Sequence, residues 1–153
     1  MDYEKRFEEL MRLHDRLGRN YAVLERIEEV ISPDTSESAK LTDENRLACI
    51  TKLATAYEKA AKIMNTLTEE AKTLQVQIES RDETDGNAAR RVCCIYIILL
   101  DLECETKELI ATVTEYTEES EEIIKAKQKE CAEAIARIKE EKALALKRLS
   151  ELD

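Results

Sequence analysis

Apolar residues recur along most of this sequence at alternating steps of three and four positions, with charged residues between them. This spacing places apolar side chains on one face of an α-helix. It is typical of a seam, the line of apolar positions through which the helices of a coiled coil contact each other. The pattern predicts an all-α fold with three helices, at residues 2–31, 43–80 and 88–152.

The second predicted helix has the most regular seam, which runs without interruption from Ile50 to Ile78. Chance rarely produces so regular a repeat, so we expect this helix to contact a partner helix along its length. The seam positions expected to make that contact are Ile50, Leu53, Tyr57, Met64, Leu67, Leu74 and Ile78.

The third predicted helix is the longest, and its seam shifts register by one residue after Ser120. An insertion of this kind locally unwinds a supercoil without ending the helix, so we expect one helix as far as Leu152. The seam positions expected to contact a partner are Val92, Ile95, Leu99 and Leu102 before the shift, and Ile135, Ile138 and Leu149 after it.

Two short polar segments separate the predicted helices. Residues 32–42 are expected to form a linker, because Pro33 disfavours helical backbone angles at the residue before it. Either Thr42 or Asp43 can then cap the second helix by accepting a hydrogen bond from a free backbone N–H group. Residues 81–87 are expected to form a turn, since glycine, asparagine and acidic residues are concentrated there.

The composition favours long helices over a thick globular core. The chain has 2 glycines and 1 proline, with 38% charged and 4% aromatic residues. We therefore predict a single elongated module over residues 1–153, an antiparallel coiled coil or helical hairpin of three helices with a long C-terminal helix. The third helix would fold back along both others, or the first two would pack beside residues 88–125 while residues 126–152 project.

Residues 92–100 form the longest apolar run of the sequence. A helix that is apolar on every face has to be surrounded by other helices. Pairing with the second helix alone would bury about half of its circumference. We therefore expect another helix of this chain or another subunit to cover the rest, and favour a contribution from a partner subunit.

The net charge of −10 disfavours direct binding to nucleic acid or to an anionic membrane surface. No apolar run approaches the ~20 residues that a membrane-spanning helix needs, and no apolar segment typical of a signal peptide follows Met1. The 5 cysteines are odd in number and match no metal motif. We expect a soluble cytoplasmic protein with free thiols in a reducing compartment.

Few residues suggest chemistry. His14 is the single histidine, which excludes the paired histidines of zinc and di-iron helices, and we expect it to set register or to reach solvent. Residues 118–122, Glu-Glu-Ser-Glu-Glu, resemble the EExxE motif of all-α nucleotide pyrophosphohydrolases, whose carboxylates bind Mg²⁺, but the ExxD that this family requires downstream is missing. We therefore predict no catalytic, cofactor-binding or metal-binding residues, and one candidate phosphorylation site at Ser32, before Pro33.

At the level of architecture, the sequence resembles the small all-helical subunits of coiled-coil assemblies. We expect a non-catalytic structural subunit of a multi-subunit complex of the cytoskeletal or mitotic type, such as a spindle, kinetochore or augmin-like assembly. Its partners would be other coiled-coil subunits, in hetero-oligomers rather than homo-oligomers. The alternatives are a self-contained three-helix adaptor, a subunit of a vesicle-tethering complex and, more remotely, an acidic metal-dependent hydrolase.

Overall fold

The computed structural model describes residues 3–33, 40–81 and 87–152. Within these ranges all regular secondary structure is helical, and the helices are α1 (Tyr3–Ile31), α2 (Asp43–Ser80), α3 (Ala88–Thr117) and α4 (Glu121–Glu151). The predicted bounds of the first two helices agree with α1 and α2 to within one residue. Residues 34–39 of the predicted linker and residues 82–86 of the predicted turn lie outside the described residues.

The prediction of three helices with one continuous helix over residues 88–152 is wrong. The helix ends after Thr117, and the backbone of Glu118 is extended, with φ −94° and ψ 140°. Ser120 then caps α4, because its hydroxyl accepts a hydrogen bond from the N–H of Ile123 at 3.4 Å. The register shift at Ser120 therefore marks a turn between two helices. The apolar pattern alone did not show this, because it also fits one continuous, locally distorted helix.

Successive helices are antiparallel, so α1 and α3 run in the same direction. The helices α1, α2 and α3 pack against one another in pairs and form a three-helix bundle. The backbone of α4 approaches that of α3 but, within the described part of the chain, neither that of α1 nor that of α2. Residues 126–152 therefore do not project from the bundle. The predicted third helix, residues 88–152, does not run as one helix along both α1 and α2. Both expected arrangements are wrong in this respect.

The core lies along the axis of the three-helix bundle. Its side chains with almost no exposed surface include Leu10, Leu17, Leu24, Cys49, Leu74, Leu99, Leu102 and Thr106. Helix α2 buries a wider face than one seam, because it packs against both α1 and α3. Besides the predicted positions, it buries Cys49, Ala56, Ile63 and Glu70.

Two polar contacts inside the bundle connect its helices. The side-chain amide of Asn20 donates a hydrogen bond to the hydroxyl of Thr106 at 3.1 Å, which connects α1 to α3. The Nε atom of Arg91 donates to the carboxylate of Glu70 at 2.8 Å, which connects α3 to α2. Asn20, Thr106 and Glu70 are buried, whereas Arg91 is partly buried. Both contacts form in one register only, so they favour the observed alignment of the helices.

Capping fixes where α2 begins. The hydroxyl of Thr42 accepts a hydrogen bond from the N–H of Asn45 at 3.1 Å, so Thr42, rather than Asp43, is the cap. Leu41 is buried beside it. The helix ends at Ser80, and the residue after it, Arg81, has a left-handed backbone with φ 57°.

Candidate partner-binding surfaces

Most of the predicted partner-contacting residues are buried against other helices of the same chain. The buried ones are Leu53, Leu67, Leu74, Val92, Ile95, Leu99, Leu102 and Ile138. The partly buried ones are Tyr57, Met64, Ile78, Ile135 and Leu149. Ile50 is exposed, because its side chain lies at the outer edge of the face that α2 turns toward its neighbours. Any surface that is free for a partner therefore lies outside most of the predicted seam.

Helix α4 supplies much of the cover that residues 92–100 require. The thiol of Cys93 donates to the backbone carbonyl of Ala145 at 3.3 Å, and Leu100 has no exposed surface. Ile98 nevertheless remains 53% exposed. The chain alone therefore leaves one face of this run open, and the contribution expected from a partner subunit stays a prediction.

An apolar groove lies between the N-terminal half of α1 and the C-terminal half of α2. It encloses about 550 Å³. Phe7 is partly buried in it, whereas Met11 and Val76 are exposed. The residues that line it are Phe7, Met11, His14, Leu67, Thr68, Ala71, Lys72, Gln75 and Val76. The residues that the structure describes leave this groove open, so they present apolar surface there.

A second opening, the basic cleft, lies between α1 and α4 above α3. It has a volume of about 450 Å³. Leu13, Val92, Cys93 and Tyr96 contribute its less polar lining, and the charged lining consists of Glu9, Arg12, Asp15, Arg16, Arg19 and Arg148. The cleft exists because the backbones of α1 and α4 do not pack together.

Ion pairs centred on Arg16 span the basic cleft. The Nε and Nη2 atoms of Arg16 each donate to the carboxylate of Glu103 at 2.7 Å, and Nη1 donates to Glu141 at 2.9 Å. The hydroxyl of Tyr96 also donates to Glu141, and the guanidinium carbon of Arg16 lies 5.7 Å from the centre of the Tyr96 ring. A weaker contact, at 3.5 Å, connects Arg148 of α4 to Glu9 of α1.

The contacts between Arg16 and its carboxylate partners favour the charged forms of Arg16 and Glu141. The hydrogen bonds with Glu103 are the main cause of a raised Arg16 pKa. The hydrogen bond from Arg16 is the main cause of a lowered Glu141 pKa. Burial is the main cause of a raised Tyr96 pKa, with the hydrogen bond to Glu141 adding to it. The cluster therefore holds α4 against α1 and α3.

No protein-family model matches this chain, and neither the curated proteins nor the solved structures contain a significant match. The geometry of its surfaces is therefore the basis for a functional proposal.

The other candidate residues are dispersed. His14 is exposed and lines the apolar groove. Ser32 lies just beyond the end of α1, where Glu25, Glu28 and Glu29 line the same small depression. A phosphate on Ser32 would meet these like charges and the negative end of the α1 dipole, so phosphorylation would destabilise this helix end.

Neither a metal cluster nor a membrane span is found in the part of the chain that the structure describes. No three His, Cys, Asp or Glu side chains come together there in a way that could hold a metal ion. Residues 118–122 form the turn and the beginning of α4, so its acidic residues do not lie on one continuous helix. In the same residue ranges, no helix is long and apolar enough to cross a membrane.

The cysteine thiols are expected to react slowly in the folded protein. Burial is the main cause of raised pKa values at Cys49, Cys93, Cys104 and Cys131, so less reactive thiolate is present at neutral pH. Brief alkylation with iodoacetamide followed by peptide mass spectrometry should show these thiols reacting at least ~10-fold more slowly than in urea-unfolded chain. Equal rates for Cys49, Cys93 or Cys131 in the two states would contradict the described burial.

Proposed function

We propose that this chain is a non-catalytic structural subunit that binds helices of other proteins, of the kind found in cytoskeletal and mitotic coiled-coil assemblies. The observation that carries the proposal is the apolar groove between α1 and α2. Its 550 Å³ are lined mainly by apolar side chains, and none of the described residues fills it. An apolar groove of this kind offers a surface on which a partner's apolar side chains can be buried.

The shape of the apolar groove suits a helix. On α1 it is lined at Phe7, Met11 and His14, and on α2 from Leu67 to Val76. At ~1.5 Å per residue, the α2 wall is roughly 14 Å long. A partner helix presents apolar side chains over the same distance at positions i, i+3 or i+4, and i+7. Met11 adds a flexible side chain that can adapt to such residues.

The basic cleft on the other side of α1 favours an acidic partner. Arg12 and Arg19 stand at its rim. Arg12 makes one ion pair, at 4.0 Å to Glu8, with both side chains largely exposed, so this pair contributes little. The other two arginines of the cleft are paired with carboxylates of this chain, so Arg12 and Arg19 are the cations that an acidic residue of a partner helix would meet here.

A second candidate function, a self-contained helical adaptor, is favoured by the closed core of α1, α2 and α3. An adaptor and an obligate subunit could use the same groove, but they differ in the stability of the isolated chain. A melting temperature that does not change with protein concentration would favour the adaptor. A melting temperature that rises with concentration would favour a chain that requires an assembly.

The proposal is tested by substituting one exposed residue in the apolar groove and one outside it. Val76 and Leu47 both lie on α2 and are 63% and 64% exposed, but only Val76 lines the groove. Val76→Glu should reduce co-purification of helical partner proteins by at least ~10-fold, because it places a charge against the partner's apolar stripe. Leu47→Glu should leave co-purification unchanged. The measurement is affinity purification from native cells with quantitative mass spectrometry.

A control for folding and two contrary outcomes complete the experiment. Both should leave helix content and urea stability close to those of the unsubstituted chain, since both sites are exposed. Partners retained in full by Val76→Glu would overturn the assignment of the groove. Partners lost equally in both variants would place the contact elsewhere on α2.

A further inference from the structure

The turn between α3 and α4 is made of residues that are also compatible with a helix. It consists of Glu118, Glu119 and Ser120, with neither glycine nor proline. Within the described ranges, Arg81 is the only non-glycine residue with a positive φ, so the turn does not depend on a left-handed backbone. Ser120 supplies the side-chain cap. Nothing covalent or steric in this sequence prevents the turn from straightening.

The contacts of α4 are suited to exchange. It packs on α3 through a seven-residue repeat of buried side chains, which are Ile124, Cys131, Ile138 and Ala145. Toward α1 it makes side-chain ion pairs such as Arg16–Glu141. All of these contacts would form in the same way if the α4 segment came from a second copy of the chain.

We propose that two copies of this chain can exchange α4, each straightening its turn so that α3 and α4 form one helix. That helix would extend from Ala88 to Glu151 and measure roughly 96 Å at ~1.5 Å per residue. The α4 segment of each copy would dock on α3 of the other, as in other domain-swapped dimers. Each basic cleft would then be built from both chains. This proposal does not depend on the proposed function, because it concerns a second copy and not the apolar groove.

The acidic residues around the turn oppose this exchange. In a continuous helix, Glu118 would face Glu115, Glu121 and Glu122 at spacings of three and four residues, where like charges repel. In the exchanged dimer the two acidic segments would also meet near the symmetry axis. In the hairpin, by contrast, Glu121 and Glu122 lie in the first turn of α4, where the helix dipole favours negative charge.

Nearby cations only partly offset these charges. Lys40 pairs with Glu119 at 2.9 Å, although Glu119 is largely exposed. Lys127 lines the same cavity as Glu118. The carboxylate of Glu118 also accepts hydrogen bonds from the N–H groups of Glu119, at 3.2 Å, and Ser120, at 3.5 Å. The hairpin is therefore favoured at low ionic strength, and neutralising the glutamates favours the exchanged dimer.

A variant with neutral residues at the turn tests the proposal. The substitutions are Glu118→Gln, Glu119→Gln, Glu121→Gln and Glu122→Gln. Light scattering after size-exclusion chromatography should show the dimerisation constant raised by roughly a hundredfold, because several like-charge helical pairs are removed in each of two chains. The dimerisation constant of the unsubstituted protein should also rise in ~1 M NaCl, since the screening length falls to ~3 Å and the repulsion between the glutamates weakens.

A disulfide distinguishes exchange from simple association. Ala145→Cys places a thiol beside Cys93, whose sulfur lies 3.3 Å from the carbonyl oxygen of Ala145. After oxidation, an exchanged dimer should form this disulfide between chains and migrate as a covalent dimer on a non-reducing gel. A hairpin should form it within one chain and migrate as a monomer. The same chain with Ala145 retained shows what the native cysteines contribute.

Proline at position 121 provides the matched control. Glu121 is the first residue of α4, where proline is well tolerated, and the backbone of Ser120, with φ −77° and ψ 117°, suits a residue before proline. Within a continuous helix, proline would remove a backbone hydrogen bond and clash with the preceding turn. A neutral variant that carries Glu121→Pro in place of Glu121→Gln should therefore be monomeric and form the intrachain disulfide.

Three results would overturn the proposal. The neutral variant could remain monomeric at all concentrations while keeping its helix content. It could form a dimer whose disulfide is intrachain, which would indicate association side by side. The Glu121→Pro form could dimerise as strongly as the Glu121→Gln form. If the neutral variant failed to fold, a chain with its native glutamates and Ala145→Cys would be oxidised at high salt. Its disulfide, between chains or within one chain, would then decide whether α4 is exchanged.

Discussion

Replacing Leu99 by alanine should lower the free energy of unfolding by about 3 kcal/mol, the loss expected when a fully buried leucine leaves a cavity in a packed core. Leu99 has no exposed surface and belongs to the core shared by α1, α2 and α3. Neighbouring side chains could fill the cavity only if the packing of all three helices changed. Urea unfolding followed by circular dichroism measures the effect.

The adjacent residue provides the control for this experiment. Ile98 is 53% exposed, so Ile98→Ala should change the free energy of unfolding by less than ~1 kcal/mol. The comparison tests directly whether the apolar run at residues 92–100 has one buried and one open face. Equal losses at the two positions would mean that Ile98 is buried in solution, by α4 in another position or by a second molecule.

Arg16→Met should lower the free energy of unfolding by about 2 kcal/mol, since it leaves two partly buried carboxylates without their cation. Glu103 and Glu141 both accept hydrogen bonds from Arg16, and methionine keeps an unbranched side chain at this position without the charge. The partial exposure of this cluster keeps the expected loss below that of a fully buried pair. Arg12→Met, on the exposed side of the same helix, should change stability by less than ~0.5 kcal/mol.

The dependence of the Arg16→Met effect on pH has a definite sign. Arg16 lowers the pKa of Glu141 in the folded chain. This contribution to stability is therefore present above the ordinary carboxylate pKa and is lost as the pH falls through the lowered folded pKa. The difference in stability between the unsubstituted chain and the variant should narrow on acidification below the ordinary carboxylate range. A difference that stays constant from neutral to acidic pH would contradict the assigned role of Glu141.

The sequence was sufficient to predict the all-helical fold and the positions of α1 and α2. Helical periodicity and the scarcity of glycine and proline determine both. The turn after Thr117 was missed because its residues are ordinary helix formers and because seam residues continue on both sides of it. A shift of one position in a repeat is compatible with a distorted helix or with two helices, and tertiary contacts decide between them.

The surfaces were harder to predict than the core. A single seam was assigned to α2, yet this helix has two neighbours, so Cys49, Ala56, Ile63 and Glu70 are buried as well. The partner of Glu70 is Arg91 on another helix, and Arg16 likewise meets carboxylates far away in sequence. Such pairs depend on the relative rotation of helices, which periodicity does not determine. The apolar groove and the basic cleft arise from the same rotations.

The outer position of α4 gives the molecule two levels of cooperativity. The core of α1, α2 and α3 is closed by three mutual helix contacts, whereas α4 is attached through α3 and a few ion pairs. Opening α4 alone would leave that inner core intact and therefore requires less free energy than global unfolding. The face of α3 that carries Cys93 and Leu100 is thus the part of the interior that such an opening would expose to water.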